Sequence, residues 1–329
     1  MRRREFIALL GGVAAAWQST ARAQQAEGLR RIGALISGGE NDPDSKARIS
    51  AFQGELEKLG WIEGRNVRID RRFSAGDDGR LRASAAELVN TAPEVIATNG
   101  TQATAILRQL TSTIPIVFTN VADPVASNFV ATFAHPAGNI TGLTSEEYSL
   151  AGKWLSILKD LAPGVARVLV LYNPDNPNWA GYLRTIEAAA TSLAVSVGSA
   201  RVTTSEEIAR NVETFTREPG AGMIVVPSGF TSINREAIVA LSIRHRLPAV
   251  YPYSYYAFSG GLLSYGSNFE DSYRRAAHYV DRILRGAKPG DLPVEAPTKF
   301  ELVINLKTAK VIGLAIPRSV LVRANDVMQ

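Results

Sequence analysis

Short, unbroken apolar runs recur along this chain, separated by segments whose apolar residues return every three or four positions. Residues 95–98 (VIAT) and 114–118 (IPIVF) are two such runs, and between them Ala103, Ile106, Leu107 and Leu110 sit at helical spacing. Continuous apolar runs suit strands buried on both faces, and a 3.6-residue period suits a helix crossing between them. The stretch therefore predicts a right-handed βαβ unit with parallel strands. The same alternation precedes it. Strands are expected at 31–36 and 67–70, followed by helices carrying Phe52, Leu56 and Leu59 and then Leu81, Ala85, Leu88 and Val89.

After Gly138-Asn139-Ile140-Thr141-Gly142, which reads as a turn-rich connection, the pattern starts again. Strands are expected at 168–172, 195–197, 223–226 and 247–250, with helices between them. RIGALISGG pairs with RVLVLYNPD, EVIATNGTQ with GMIVVPSGF, and STIPIVFTN with HRLPAVYPY, in the same order in each half. A further strand near 260–265 precedes a helix through Tyr273, Ala277, Val280 and Leu284. Pro289, Pro293 and Pro297 mark a linker before a strand at 300–304 and a helix at 307–314. The expected fold is α/β: two similar Rossmann-like lobes with parallel sheets, joined by a multi-strand hinge. The first lobe is expected at 29–144 plus 262–290, the second at 145–261 plus 296–329.

The first 23 residues stand apart from this pattern. Arg2, Arg3 and Arg4 form a basic head, an apolar stretch at 6–16 is too short to span a bilayer, and Ala21-Arg22-Ala23 offers small residues for cleavage. Residues 1–23 read as an export signal peptide, and Arg3-Arg4-Glu5-Phe6-Ile7 resembles a twin-arginine signal. The segment also accounts for part of the charge. The net charge is +5, but without residues 1–23 there remain 32 basic against 30 acidic residues. No long basic run is left, so a nucleic-acid partner is not indicated. The chain has no cysteine, which removes disulfides and thiolate chemistry.

Enzyme constellations are absent from the pattern. His135, His245 and His278 lie in unrelated segments without metal-ligand spacing, and there is neither a phosphate-binding P-loop nor a nucleophile elbow. Neither a metal nor a cofactor is expected. What repeats is polar and aromatic residues just past the strand ends, where open α/β sheets bind ligands. These are Ser37, Gly100, Thr101, Asn120 and Asp123 in the first half, and Asn173, Asn176, Ser228, Gly229, Tyr251 and Tyr253 in the second. Each is also ordinary turn chemistry. Two lobes with such rims would enclose a small molecule. The turn at Gly100 and Thr101 opens a helix and is expected to hold an anionic end, most simply a carboxylate, with Thr101 as the cap. Asp123 is the candidate for an ammonium or amide N–H. The aromatic cluster at 251–258 serves either a planar ligand or the hinge.

From residue 31 to about 327 the chain resembles the ABC-transporter substrate-binding protein family that includes tryptophan- and tyrosine-binding members. The resemblance is carried by IPIVFTNVADPVASNFVATFAHPAGNITGLT (114–144), RHRLPAVY (244–251), GGLLSYG (260–266) and the stretch YRRAAHYVDRILRGAKPGDLPVEAPTKFELVINLKTAKVIGLAIP (273–317). It implies a type I periplasmic binding protein fold and a small, aromatic or amino-acid-like ligand. It also implies delivery to an ABC permease with its ATPase, a periplasmic location, and a monomer. The competing expectation is a periplasmic ligand sensor feeding a signalling partner.

Overall fold

In the computed structural model, residues 29–145 and 148–329 are described; the expected export segment lies outside them. The first lobe is built from β1 (Arg30–Ile36), α1 (Pro43–Lys58), β2 (Val67–Phe73), α2 (Asp78–Asn90), β3 (Val95–Asn99), α3 (Thr101–Leu110), β4 (Ile116–Val121) and β5 (Ile140–Thr144). The second contains α4 (Ser149–Leu161), β6 (Arg167–Tyr172), α5 (Trp179–Ser192), β7 (Ser196–Arg201), α6 (Ser205–Phe215), β8 (Ala221–Val225), α7 (Gly229–Ile233), α8 (Arg235–Arg244), β9 (Ala249–Tyr251), α9 (Ser254–Phe258) and β10 (Leu263–Ser267). The chain returns to the first lobe for α10 (Phe269–Leu284). It then crosses again for β11 (Phe300–Asn305), α11 (Leu306–Ile312), α12 (Arg318–Leu321) and β12 (Asp326–Met328).

The first sheet has the order β2-β1-β3-β4-β5, and the second runs β7-β6-β8-β9-β10-β11-β12. Every pairing is parallel except β10 with β11. The first five strands of each sheet thus repeat one order, as the pairing of the two sequence halves predicts. Each sheet is covered on both faces. In the first lobe α1 and α10 pack one side and α2 and α3 the other; in the second, α4, α5, α11 and α12 oppose α6, α8 and α9. Burial on both faces is why the strands carry unbroken apolar runs rather than alternation.

Two expectations are corrected. Residues 140–144 are not a connection but β5, fully buried and parallel to β4. Its low apolar content hides it. Thr141 is buried with its hydroxyl donating to Leu292 O at 2.7 Å. Gly142, at φ 150°, lets the backbone approach so closely that a Cβ would lie 2.0 Å from Phe118 O, the use to which glycine is put at an irregular strand. Second, residues 263–267 lie in the second sheet, between β9 and β11, so the return to the first lobe begins at Asn268 rather than 262. The apolar strand finds its partners on β9; only the amphipathic helix after it turns back, onto α1 and β4.

The described chain leaves the first lobe after Ser145 and is in the second from Tyr148, and it crosses again at Asn268 and at 295–299. The first and third run side by side, with Thr144 N donating to Glu295 O at 2.9 Å and Glu295 N to Gly142 O at 3.1 Å. Asn268 N donates to Lys299 O at 3.1 Å, tying the second to the third. Among the described residues no helix is long and apolar enough to cross a membrane.

Candidate functional site

The carboxyl ends of the strands of both sheets face each other across a cleft that holds a cavity of about 90 Å³. The polar floor on the first lobe is built by short strand-end loops. Ser37 N donates to Asn99 Oδ1, and Ser37 Oγ to Asn99 O, both at 3.2 Å, fixing the β1 and β3 ends together. Gly100, at φ 85°, is the N-cap of α3 and supplies no capping side chain, while its N–H donates to Thr119 O at 2.8 Å. Thr101 therefore is the first helical residue rather than the expected cap. Its hydroxyl oxygen accepts from Asn178 Nδ2, at the entrance to α5 in the other lobe. The N–H groups of Thr101, Gln102 and Ala103 have no acceptor among the described residues, as first-turn donors require a partner from outside the helix.

Asn120, at the end of β4, is in the left-handed region at φ 56° and only 8% exposed. Its Oδ1 is buried without a hydrogen-bond partner. Asparagine is among the few residues that occupy this conformation readily, but an orphaned buried oxygen needs a donor.

The second lobe supplies the roof. Asn176 Nδ2 donates to Pro227 O at 2.6 Å, and Asn176 Oδ1 accepts from Asn178 N at 3.1 Å. Ser228 caps α7 through a reciprocal pair with Thr231, and Gly229 brings its backbone within 3.9 Å of Gly76 across the cleft, measured from the position a Cβ would take. The aromatic cluster divides. Tyr253 meets Phe269 edge-on at 4.2 Å, and Tyr255 lies beside Tyr253 at 5.6 Å; all three line the cavity. Burial pushes the Tyr255 hydroxyl up to about 12, so it stays protonated and bonded to Ser232 Oγ at 2.7 Å.

Eight of the eleven expected residues thus meet at the cavity: Ser37, Gly100, Thr101, Asn120, Asn176, Ser228, Gly229 and Tyr253. Three do not. Tyr251 is fully buried in the second lobe's core, stacked on Tyr256 at 5.0 Å, with its hydroxyl donating to Ser242 Oγ at 2.9 Å. Asn173 is used up by its own turn, accepting from Asp175 N and donating to Val202 O. Asp123 accepts from Ala126 N at 2.9 Å, the turn role of an Asp-Pro pair.

The charged residues of the site come from helices and were not expected. Arg48 of α1 reaches the cavity with its guanidinium 4.9 Å from the Tyr255 ring centre and 4.4 Å from that of Phe269. Arg235 of α8 crosses the cleft to Asp42 at 2.5 Å and Asp44 at 3.2 Å. Burial works to raise the Asp42 carboxyl, but the Arg235 guanidinium outweighs it and holds Asp42 below the ordinary value. Asp78, at the start of α2, faces Asp175 of the other lobe. Burial first and this second carboxylate next raise it, against a hydrogen bond from Gln102 Nε2 at 2.7 Å. Only a helical register resolved in three dimensions brings these side chains together. Among the described residues no cluster suited to holding a metal ion is present.

Comparison with known proteins agrees with this architecture. The model of a family described as ABC transporter substrate binding protein matches residues 40–328. A tyrosine-binding protein of Clostridioides difficile (strain R20291) is 24% identical over 264 residues, covering 80% of this chain and 75% of that one. Among solved structures, an ABC domain from Streptococcus pneumoniae in complex with L-Trp superposes with a TM-score of 0.83 at 25% identity, covering 91% and 100% of the two chains. A ligand-free, open substrate-binding protein with adhesive properties from Clostridium difficile gives 0.66 at 22% identity, covering 92% and 99%.

Proposed function

The chain belongs to the ABC transporter substrate-binding protein family, and from that premise we propose that it is an exported receptor for a small, amino-acid-like or aromatic solute, which it delivers to a membrane permease and its ATPase. The observation that carries this reading is a cavity walled by both lobes whose rims touch directly. Asn178 reaches Thr101, and Arg235 reaches Asp42 and Asp44. A solute in that space contacts both walls only when the lobes are together. Binding therefore draws the population toward the closed form, the one a permease can distinguish from the empty receptor. Tyr253, Tyr255 and Phe269 supply an apolar face for a flat or aliphatic body, and the strand-end groups supply orientation. The named ligands of the tyrosine-binding relative and of the L-Trp complex favour a solute of amino-acid size. The basic head and apolar stretch of residues 1–23 support export.

Thermal-shift screening against amino acids, organic acids, amides and sugars tests the reading. A solute present at about 100 times its dissociation constant is expected to add roughly 2.7 kcal/mol of stability. Small-angle scattering should show the free protein sampling a more open form that the same solute compacts. Failure of every solute to stabilise the chain overturns the proposal.

A further inference from the structure

Arg48 is the cation of the cavity that is left over. Arg235 is matched by two carboxylates, Asp42 and Asp44. Arg48 has no carboxylate within ion-pair distance among the described residues; Asp44 attracts it from farther off while remaining bonded to Arg235. The Arg48 guanidinium is instead laid against Tyr255 and Phe269, with the Tyr273 hydroxyl beside both it and Thr119, the residue before Asn120. Stacking fixes the plane of a guanidinium, and with one N–H turned to the Tyr273 hydroxyl the remaining N–H groups can grip a carboxylate. The free first-turn N–H groups of the ten-residue helix α3 open onto the same cavity and favour the same sign of charge.

Among the described residues no comparable partner waits for a ligand cation. Asp42 is the only carboxylate among the described residues lining the cavity. One of its oxygens is held by Arg235, and the other by both the N–H and the hydroxyl of Ser45, each at 3.0 Å. The acceptor that is free is neutral: Asn120 Oδ1, buried and unpartnered. We infer that the cavity is built for a carboxylate ligand whose second polar group is an uncharged N–H or O–H donor, in preference to a zwitterionic amino acid. Arg48 and Asn120 are then its specificity-determining residues. The inference rests on the solute-binding reading and narrows its ligand class.

Calorimetric titration of the full chain with matched probes decides it: L-phenylalanine, 3-phenylpropanoate with its 2-hydroxy derivative, and 3-phenylpropanamide, then L-leucine, 4-methylpentanoate with its 2-hydroxy derivative, and 4-methylpentanamide. The carboxylates without an ammonium are expected to bind about tenfold or more tightly than either partner, the loss that accompanies one unmet charged or buried polar group. Arg48→Gln should erase the advantage of carboxylate over amide, and Asn120→Leu should weaken acids bearing an α-hydroxyl more than those without one. Tighter binding of the amino acid in each set overturns the inference and leaves the receptor reading standing. So does binding of sugars alone. A chain that binds no solute overturns both.

Discussion

The hydroxyl of Thr101 and the amide of Asn178, separated by 77 positions, are joined by a hydrogen bond that spans the two lobes. Both residues also line a second, outer groove beyond the cavity, together with Arg108, Phe129 and Tyr148. Their contact is thus the wall between the inner space and that groove. Removing it should leave each lobe intact and make the closed form less favourable. Asn178→Ala is expected to weaken ligand binding by about 0.5–1.5 kcal/mol, the usual net worth of a hydrogen bond. The loss should lie mainly in faster release, which stopped-flow dissociation would report. Unchanged release would remove the wall from the mechanism.

Arg235 is the strongest charge crossing the cleft, with its side chain 11% exposed against 18% for Asp42. Arg235→Ala leaves Asp42 and Asp44 facing a roof without its cation. The expected cost is on the order of 1–3 kcal/mol, felt in ligand affinity and in the scattering-derived dimensions. A melting point that collapses while affinity of the remaining folded protein is unchanged would contradict this. Adding salt should weaken the wild type more than the variant.

The carboxyls of the cleft titrate in opposite senses. Asp42 is lowered by Arg235 against the pull of burial, so its contribution is present above the unfolded value of 3.8 and is lost as pH falls through its lower folded value. Asp78 is raised by burial and by Asp175, so the folded, closed form binds its proton more tightly. Its penalty is absent below 3.8 and grows as pH rises through the raised value. Opening the lobes separates Asp78 from Asp175. Asp78→Asn should therefore strengthen ligand binding at neutral pH and flatten the decline in affinity with rising pH just above 3.8. Titrations across pH 4–7 test this, and a variant that binds no better at pH 7 refutes it.

Tyr251 and Tyr253 are two positions apart and do different work. Tyr251→Phe strips a buried hydroxyl from Ser242 Oγ and should lower stability by about 1–3 kcal/mol with affinity preserved. Tyr253→Ala should weaken binding, since Tyr253 lines the cavity against Phe269. Melting and calorimetry on both variants separate the roles; a reversed pattern would restore Tyr251 to the site.

What the sequence made legible follows from which forces are local. Strands buried on both faces declare themselves as apolar runs, and the ends of parallel strands must point to one edge, so Ser37, Gly100, Asn120 and Ser228 could be placed at the cleft without coordinates. Strand β5 could not be, because Thr141 and Gly142 are chosen for one hydrogen bond and one close backbone approach rather than for apolar burial. Asp123 and Asn173 were misleading for a related reason. Their short side chains satisfy the turns that carry them before any ligand is considered. Arg48, Arg235, Tyr255 and Phe269 lie on helices, one turn being much like the next until packing selects the face. Their role is tertiary; of the four only Tyr255 lay in a stretch that stood out, the aromatic cluster at 251–258, whose pattern left ligand and hinge equally open.

Three chain crossings laced together by backbone bonds also decide how the lobes can move. A single tether would let one lobe twist, slide and tilt against the other, and a ligand would have to arrest all of these at once. Bonds from Thr144 and Asn268 to the segment leading into β11 tie the crossings into one band, which favours a door-like swing over sliding or twisting. The orientational freedom that two separate bodies lose on association is already absent before the solute arrives. A handful of contacts at the rim, Asn178 with Thr101 and Arg235 with Asp42 and Asp44, is then enough to hold the lobes together.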